Sequence, residues 1–335
     1  MRAKIYCGFS KLCQLLVLAI LISSCGGGGG NPSSQIQVNL VSKSNWHGVD
    51  ELSNSPQLHA VGYADNLFFA VGIGYNYIQS SADGVTWSIL TNSYDLGNLK
   101  DFASNGNELV AVGGADTVIT SDDNFSTFQT YHSGIVEYFN TVSYGNGIFI
   151  ASGATSYGES CVIMTSTDGI HWTSRLNQPL LWIFKIVYGD GTFVAVGSNE
   201  SGGIVMTSVD NGTTWVTRQS GLSNSFSDIA YGHNTFVAVG GGGAILTSTD
   251  AGTTWTSSPS GTTYGINGIT FGKGVFAAVS GDYSSHIDQI LVSNDNGVHW
   301  SVMSFTGQYW LNKIAYGNGR FVAVGNYGLY YSDTF

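Results

Sequence analysis

The sequence predicts an all-β fold, a seven-bladed β-propeller of four-stranded antiparallel blades whose last blade is closed by an N-terminal strand. Three observations carry that expectation. One apolar segment recurs seven times at a spacing of 40–45 residues. A Ser-x-Asp-x-Gly-x-x-Trp turn follows most of the copies. The final copy stops one strand short, while a strand-like stretch stands unused before the first. Self-similarity at this period marks a repeat architecture, and four short strands per repeat mark a propeller blade. The composition fits: 46 Gly, 13% aromatic and only 10% charged residues describe short strands and Gly-rich turns, not a disordered chain.

Taken from its start, the chain opens with a basic head (Arg2, Lys4, Lys11), an apolar stretch from Leu12 to Ile22, and the small residues Ser23 and Ser24. That is the three-part form of a secretory signal. The apolar run is shorter than the roughly 20 residues a membrane-spanning helix needs. Ile22-Ser23-Ser24-Cys25 resembles the lipobox of bacterial lipoproteins. The resemblance implies that residues 1–24 are a removed signal peptide and that Cys25 is lipidated. The protein is then expected in the bacterial cell envelope, anchored by lipid, with the outer membrane favoured. Residues 25–34 read as the lipidated Cys and a Gly/Ser-rich tether, and residues 35–335 as one propeller domain. Cys7 and Cys13 fall in the leader, so lipidation of Cys25 leaves Cys161 without a disulfide partner, and the fold must rest on its core.

Ile36, Val38 and Leu40 alternate with Gln35, Gln37 and Asn39, a period-2 pattern. Residues 35–42 are therefore expected to close blade seven. The repeated segments follow: Phe68-Phe-Ala-Val-Gly72, Leu109-Val-Ala-Val-Gly113, Phe149-Ile-Ala-Ser-Gly153, Phe193-Val-Ala-Val-Gly197, Phe236-Val-Ala-Val-Gly240, Phe276-Ala-Ala-Val-Ser280 and Phe321-Val-Ala-Val-Gly325. A run that is apolar throughout suits a strand covered on both faces, here by neighbouring blades. An inner strand such as Ile229-Ala-Tyr231 precedes each copy. A third strand such as Ala244-Ile-Leu-Thr-Ser248, an Asp turn and an outer strand follow it. The seventh copy ends at Tyr330-Tyr-Ser-Asp-Thr-Phe335 with three strands, which would leave an open sheet edge.

Full Asp turns run Ser208–Trp215, Ser248–Trp255 and Ser293–Trp300, with shorter versions ending at Trp87 and Trp172 and a degenerate one, lacking Gly, ending at Phe128. The Asp carboxylate accepts backbone N–H groups further along the turn, Gly supplies positive φ, and Trp covers the hairpin. Asp83, Asp123, Asp168, Asp210, Asp250 and Asp295, with Trp87, Trp172, Trp215, Trp255 and Trp300, are accordingly read as structural. Asp210-Asn-Gly212 also opens like a calcium loop, but the ligand run of an EF-hand does not follow.

These turns resemble the Asp boxes, or BNR repeats, of sialidase-like propellers. The resemblance implies the fold, not an activity, because unrelated functions share it. Sialidases of this kind use three arginines on the substrate carboxylate, a Tyr–Glu nucleophile pair and an acid/base Asp. Only Arg175, Arg218 and Arg320 lie beyond the leader, two on outer strands, so that set is not assembled. The leader, size and truncated last blade are also similar to the lipid-anchored photosystem II assembly factor of cyanobacteria. That similarity implies a scaffold, although an arginine-rich partner surface has no counterpart here.

Beyond residue 25 the chain carries 8 basic and 22 acidic residues, a net charge of −14, which argues against nucleic acid as a partner. The seven histidines lack metal-ligand spacing, so neither metal nor cofactor is expected. His171 and His299 are read as exposed strand residues. A glycosidase needs two carboxylates about 5–9.5 Å apart. Glu159, Glu200 and Asp282 are available for that role, and a carbohydrate-active enzyme is the alternative reading. The leading one is a monomeric, non-catalytic propeller binding an envelope protein or a glycan. Its binding face is expected opposite the Asp turns, where the connections are unequal and aromatic. Trp182, Trp310, Tyr309, Tyr264, Tyr138 and Tyr283 are the candidates. Asp101, Lys185, Asp228 and Lys313 open inner strands and would line the axis, either satisfying one another or holding a polar ligand.

Overall fold

The apolar repeat segments fold as the second strand of seven four-stranded antiparallel sheets. In blade five, the inner strand Phe226–Gly232 pairs with Thr235–Gly240, which pairs with Ile245–Ser248 and then Thr256–Ser257. Every residue of Thr235–Gly240 is buried, because the neighbouring blades cover both of its faces. The computed structural model describes residues 42–49, 57–73, 78–91, 98–155, 159–282, 284–306 and 309–334. The leader, Cys25, the tether, residues 35–41 and Tyr283 lie outside them.

The inner strands are Gln57–Ala64, Leu99–Ser104, Tyr138–Gly145, Leu181–Gly189, Phe226–Gly232, Ile266–Gly272 and Leu311–Gly317. Each contacts the inner strand of the next blade, and the last contacts the first, which closes the ring. The spacing is set by a repeated wedge. An aromatic near the end of one inner strand lies against a glycine of the preceding blade. A Cβ at Gly232 would stand 2.1 Å from the Phe271 ring, and one at Gly317 2.1 Å from the Tyr63 ring. In every blade but the second, this aromatic also packs on the Phe of its own repeat segment, as Tyr231 does on Phe236 with centroids 4.6 Å apart. The core is therefore seven apolar layers between blades rather than one central mass.

Blade seven is closed from the N-terminal side, but by Trp46–Val49 and not by residues 35–42. This strand pairs antiparallel with Leu329–Ser332, matching Trp46 with Ser332. The reason lies in how outer strands are buried. They face solvent broadly (Thr173–Pro179 is exposed at six of its seven positions), so alternating polarity is not what selects them. What selects Trp-His-Gly-Val is its indole. Trp46 is 5% exposed and packs on Phe321 at 6.4 Å, as Trp87 does on Phe68 in blade one. Polar contacts also latch the closing strand to the last one. Ser332 Oγ accepts the Phe321 N–H, and Asp333 Oδ1 meets His47 Nε2 at 2.8 Å. Cys161 is buried in the third strand of blade three, where loss of solvent pushes its thiol up to about 11 and leaves it inert.

Candidate binding face and axial recess

Strand register divides the propeller into two faces. One collects the turns between inner and second strands and the Asp turns. The other collects the connections from second to third strand and from blade to blade.

On the first face, the six Asp turns, full, short and degenerate alike, share one geometry. The Ser Oγ lies 2.8–2.9 Å from Asp Oδ1. The same Asp oxygen accepts the backbone N–H of the residue before the aromatic, from Thr86 to His299, at 2.8–2.9 Å. The other oxygen meets a Thr hydroxyl or, at His171 and His299, an imidazole Nδ1 at 2.7 and 2.6 Å. These two histidines are exposed, but they belong to the turns and not to strands. In the turns of Asp123 and Asp210, the N–H groups of Thr127 and Thr214 lead in holding the carboxyl below its ordinary range. In those of Asp83, Asp168, Asp250 and Asp295, desolvation acts first and upward, and the hydrogen bonds outweigh it. The indole N–H of Trp172, Trp215, Trp255 and Trp300 donates to the turn glycine carbonyl at 2.9–3.1 Å.

The degenerate turn of blade two shows what the glycine does. Phe125, at φ +60°, donates its N–H to Ser121 Oγ as Gly212 does to Ser208 Oγ. Elsewhere the glycine rests on the second strand of the preceding blade, Gly212 on Ile150 and Gly252 on Val194. In blade two that space holds the Phe125 ring, packed edge-on to Phe69 at 5.5 Å and fully buried. Burial of a phenyl ring offsets the backbone strain of a non-glycine residue at positive φ, which costs on the order of 1 kcal/mol.

The opposite face carries the aromatic candidates. Trp182 is half-buried near the start of its inner strand, opposite Ser198. Trp310 stands edge-on to Tyr327 at 5.3 Å, and Tyr309 packs on Tyr330 at 5.0 Å, within the layer between blades six and seven. Tyr138 is half-buried opposite Ala154. Tyr264 borders a separate recess of about 530 Å³ with Thr262 and Gln289. The rings are spread over several blades and do not converge on one cavity.

What converges is the axis. All seven inner strands bulge at the same place, one residue before the position expected to line the channel. The bulged residues are His59, Lys100, Asn140, Phe184, Ser227, Asn267 and Asn312. All seven line a recess of about 610 Å³ at the axial mouth of this face. Three of the amides act as staples between blades. Asn140 donates to the carbonyl of Ile183, Asn267 to that of Leu311, and Asn312 to that of Leu58, at 2.9–3.2 Å. Each receiving carbonyl belongs to the residue just before the bulge of the next blade.

One residue further in, the predicted charges stand together. Lys185 Nζ meets Asp101 Oδ2 at 2.6 Å, and Lys313 Nζ meets Asp228 Oδ2 at 2.9 Å. Asp101 also accepts the Thr141 hydroxyl and the Val142 N–H. Asp228 accepts the N–H groups of Ile229 and Ile269. Desolvation opposes the charge on Lys185, but Asp101 and Asp228 together outweigh it and raise the pKa. Between His59 and Lys100 the contact is different: Lys100 Nζ lies 2.9 Å from His59 Nδ1. Burial first, and the lysine charge second, push His59 down to about 4. The imidazole is neutral at physiological pH and accepts a hydrogen bond from the lysine ammonium.

The bulge ring went unread in the sequence although its signal is there. Leu58-His59-Ala60, Leu99-Lys100-Asp101 and Phe139-Asn140-Thr141 repeat one apolar residue followed by two that differ from blade to blade. Asp288 was also missed. It is fully buried on the third strand of blade six and accepts the N–H groups of Tyr309 and Leu311, which fixes the connection into blade seven. Arg175 and Arg218 donate to Thr165 and Thr207 from outer strands, and Arg320 lies over the Tyr331 ring in blade seven. Among the described residues no group of three or more His, Cys, Asp or Glu side chains is placed to hold a metal.

The fold and this face define an all-β propeller of seven four-stranded blades with a polar axial recess. No family model matches the chain, and no curated relative matches it. Solved structures do. The structure titled "YCF48 bound to D1 peptide" is 16% identical, with a TM-score of 0.68, covering 87% of this chain and 97% of its own. YCF48 from Cyanidioschyzon merolae is 17% identical with a TM-score of 0.65, covering 86% and 98%. A streptogramin B lyase structure is 12% identical with a TM-score of 0.71, covering 87% and 99%. At these identities the likeness is one of fold.

Proposed function

We propose that this chain is a non-catalytic binding or scaffold propeller of the bacterial cell envelope, recognising a protein or a glycan on the face opposite the Asp turns. The observation that carries the reading is the axial recess. It is the place where the seven blades present five kinds of side chain at one position (His, Lys, Phe, Ser and three Asn), whereas the opposite face repeats one turn. Repeated turns hold blades in register, and unequal residues on a rigid ring are suited to recognition. A neighbouring fold, YCF48, has been captured with a D1 peptide, which supports a protein partner. The lipobox-like Ile22-Ser23-Ser24-Cys25 supports a lipid anchor, and the net negative charge speaks against nucleic acid.

The test is a photo-crosslinking residue placed in blade four on either face, at Phe184 or at Val209, both exposed, in cells making the full chain. Partner or glycan adducts are expected at 184 and not at 209. Adducts confined to 209 would place recognition on the wrong face, and turnover of a glycan panel would replace binding by catalysis. For the anchor, Cys25→Ala should abolish incorporation of labelled fatty acid and move the protein out of the detergent-extracted membrane fraction.

A further inference from the structure

Bases are scarce in this protein, yet they gather at the axis. Of the five lysines beyond residue 25, three stand on inner strands: Lys100, Lys185 and Lys313. Lys185 and Lys313 are each matched by a buried aspartate. Lys100 is not. Among the described residues its ammonium meets only the neutral His59 imidazole, and no carboxylate lies within ion-pair distance. The recess therefore holds one positive charge in excess, on a protein whose overall charge is strongly negative. Burial already lowers the Lys100 pKa, so the charge is held at a cost that a bound anion would offset.

The rest of the lining sorts possible anions. The same recess is lined by the amides of Asn140, Asn267 and Asn312 and the hydroxyl of Ser227. Each amide has two N–H donors; those of Asn267 and Asn312 are engaged within the ring, whereas Asn140 spends one on the Ile183 carbonyl and keeps the other for a ligand. Phe184, 38% exposed, adds one apolar ring at the edge. A lone ammonium among amide and hydroxyl groups, without arginine, matches a planar monoanion better than a phosphate dianion, for which arginine forks are preferred. We infer that the axial recess binds a carboxylate group carried by a polar ligand, with Lys100 as its ion-pair partner, Asn140 and Ser227 as hydrogen-bonding groups, and Phe184 against the ligand's apolar edge. This rests on the reading of the face given above. A peptide C-terminus and a uronic-acid sugar both present such a carboxylate.

Four probes separate these sources by calorimetry on the mature chain at low salt: a short peptide with a free C-terminus, its C-terminal amide, a uronic-acid trisaccharide, and its methyl ester. One carboxylate probe should bind about tenfold or more tightly than its uncharged counterpart, the margin expected of one charged hydrogen bond. Lys100→Met should erase that preference and Lys100→Arg should restore most of it. Lys273→Met, on an exposed turn of the other face, should change nothing. Thermal melts of the variants check folding. Equal binding of charged and uncharged probes, a preference that survives Lys100→Met, or no binding of either carboxylate probe up to about 10 mM would overturn the inference. Adducts at position 184 that persist undiminished in Lys100→Met would remove the carboxylate while leaving the binding face intact.

Discussion

At the scale of single residues, carboxylates do opposite things according to what surrounds them. The Asp-turn carboxylates are half in water and accept three or four donors, so their ionised form is favoured. Asp250→Ala removes an acceptor for the Thr254 N–H and hydroxyl and should cost on the order of 1–2 kcal/mol, read by urea denaturation. The depressed pKa of Asp250 means that its contribution is present above the ordinary carboxyl value and lost as the pH falls below it. Asp288 has the reverse sign. Burial, only partly offset by the Leu311 and Trp310 N–H groups, raises it from 3.8 to about 6. The folded state then binds the proton more tightly than the unfolded chain. Its contribution is full below pH 3.8 and lost as the pH rises through about 6. Asp288→Asn should flatten the stability profile between those limits, by roughly 3 kcal/mol at most. A profile unchanged by the substitution would show that Asp288 is ionised at no extra cost.

At the scale of elements, the closure of blade seven concentrates the greatest consequence in the fewest residues. Trp46–Val49 is four residues long, and only Trp46 is buried. The His47–Asp333 contact joins two side chains 43% and 51% exposed, and surface pairs of that kind contribute little. The indole carries the strand. Trp46→Ala should therefore destabilise by about 3–5 kcal/mol, the range for deleting a large buried aromatic, whereas His47→Ala should change stability by less than about 1 kcal/mol. Chemical denaturation of the two variants makes the comparison, and similar losses would mean that the polar latch, not the indole, closes the ring. Second strands were legible from sequence because both of their faces are covered. The closing strand was not, because outer strands bury too little to imprint a period on their residues.

At the scale of the whole molecule, seven inner strands bring together residues up to 254 positions apart, as in the Asn312–Leu58 contact. Two charge pairs sit at the centre of that ring. Asp101 and Lys185 come from blades two and four, with Thr141 of blade three between them. Breaking one buried partner is costly because the other is left uncompensated. Asp101→Asn keeps an acceptor for Thr141 and Val142 but removes the charge, and should cost about 3 kcal/mol. Adding Lys185→Met should recover part of that loss, and the thermodynamic cycle reads the coupling directly. Strictly additive single and double variants would mean that the two charges stand near each other without interacting.

The sequence by itself determined the number of blades, the burial of the FVAVG-type strands, the shared geometry of the Asp turns and the need for a strand from the N-terminal side. Those features are local or periodic: an apolar run, a turn of fixed spacing, a repeat one strand short. It also placed Asp101, Lys185, Asp228 and Lys313 at one equivalent position, since equivalence under a repeat is readable from spacing. Only the tertiary structure decided which residues pair across the axis, that the closing strand is the one bearing Trp46, that Phe125 fills the gap a glycine leaves elsewhere, and that the bulged residues and not the tryptophans line the recess. Each of these turns on distances between blades remote in sequence. The ring fixes such distances only when all seven layers pack at once.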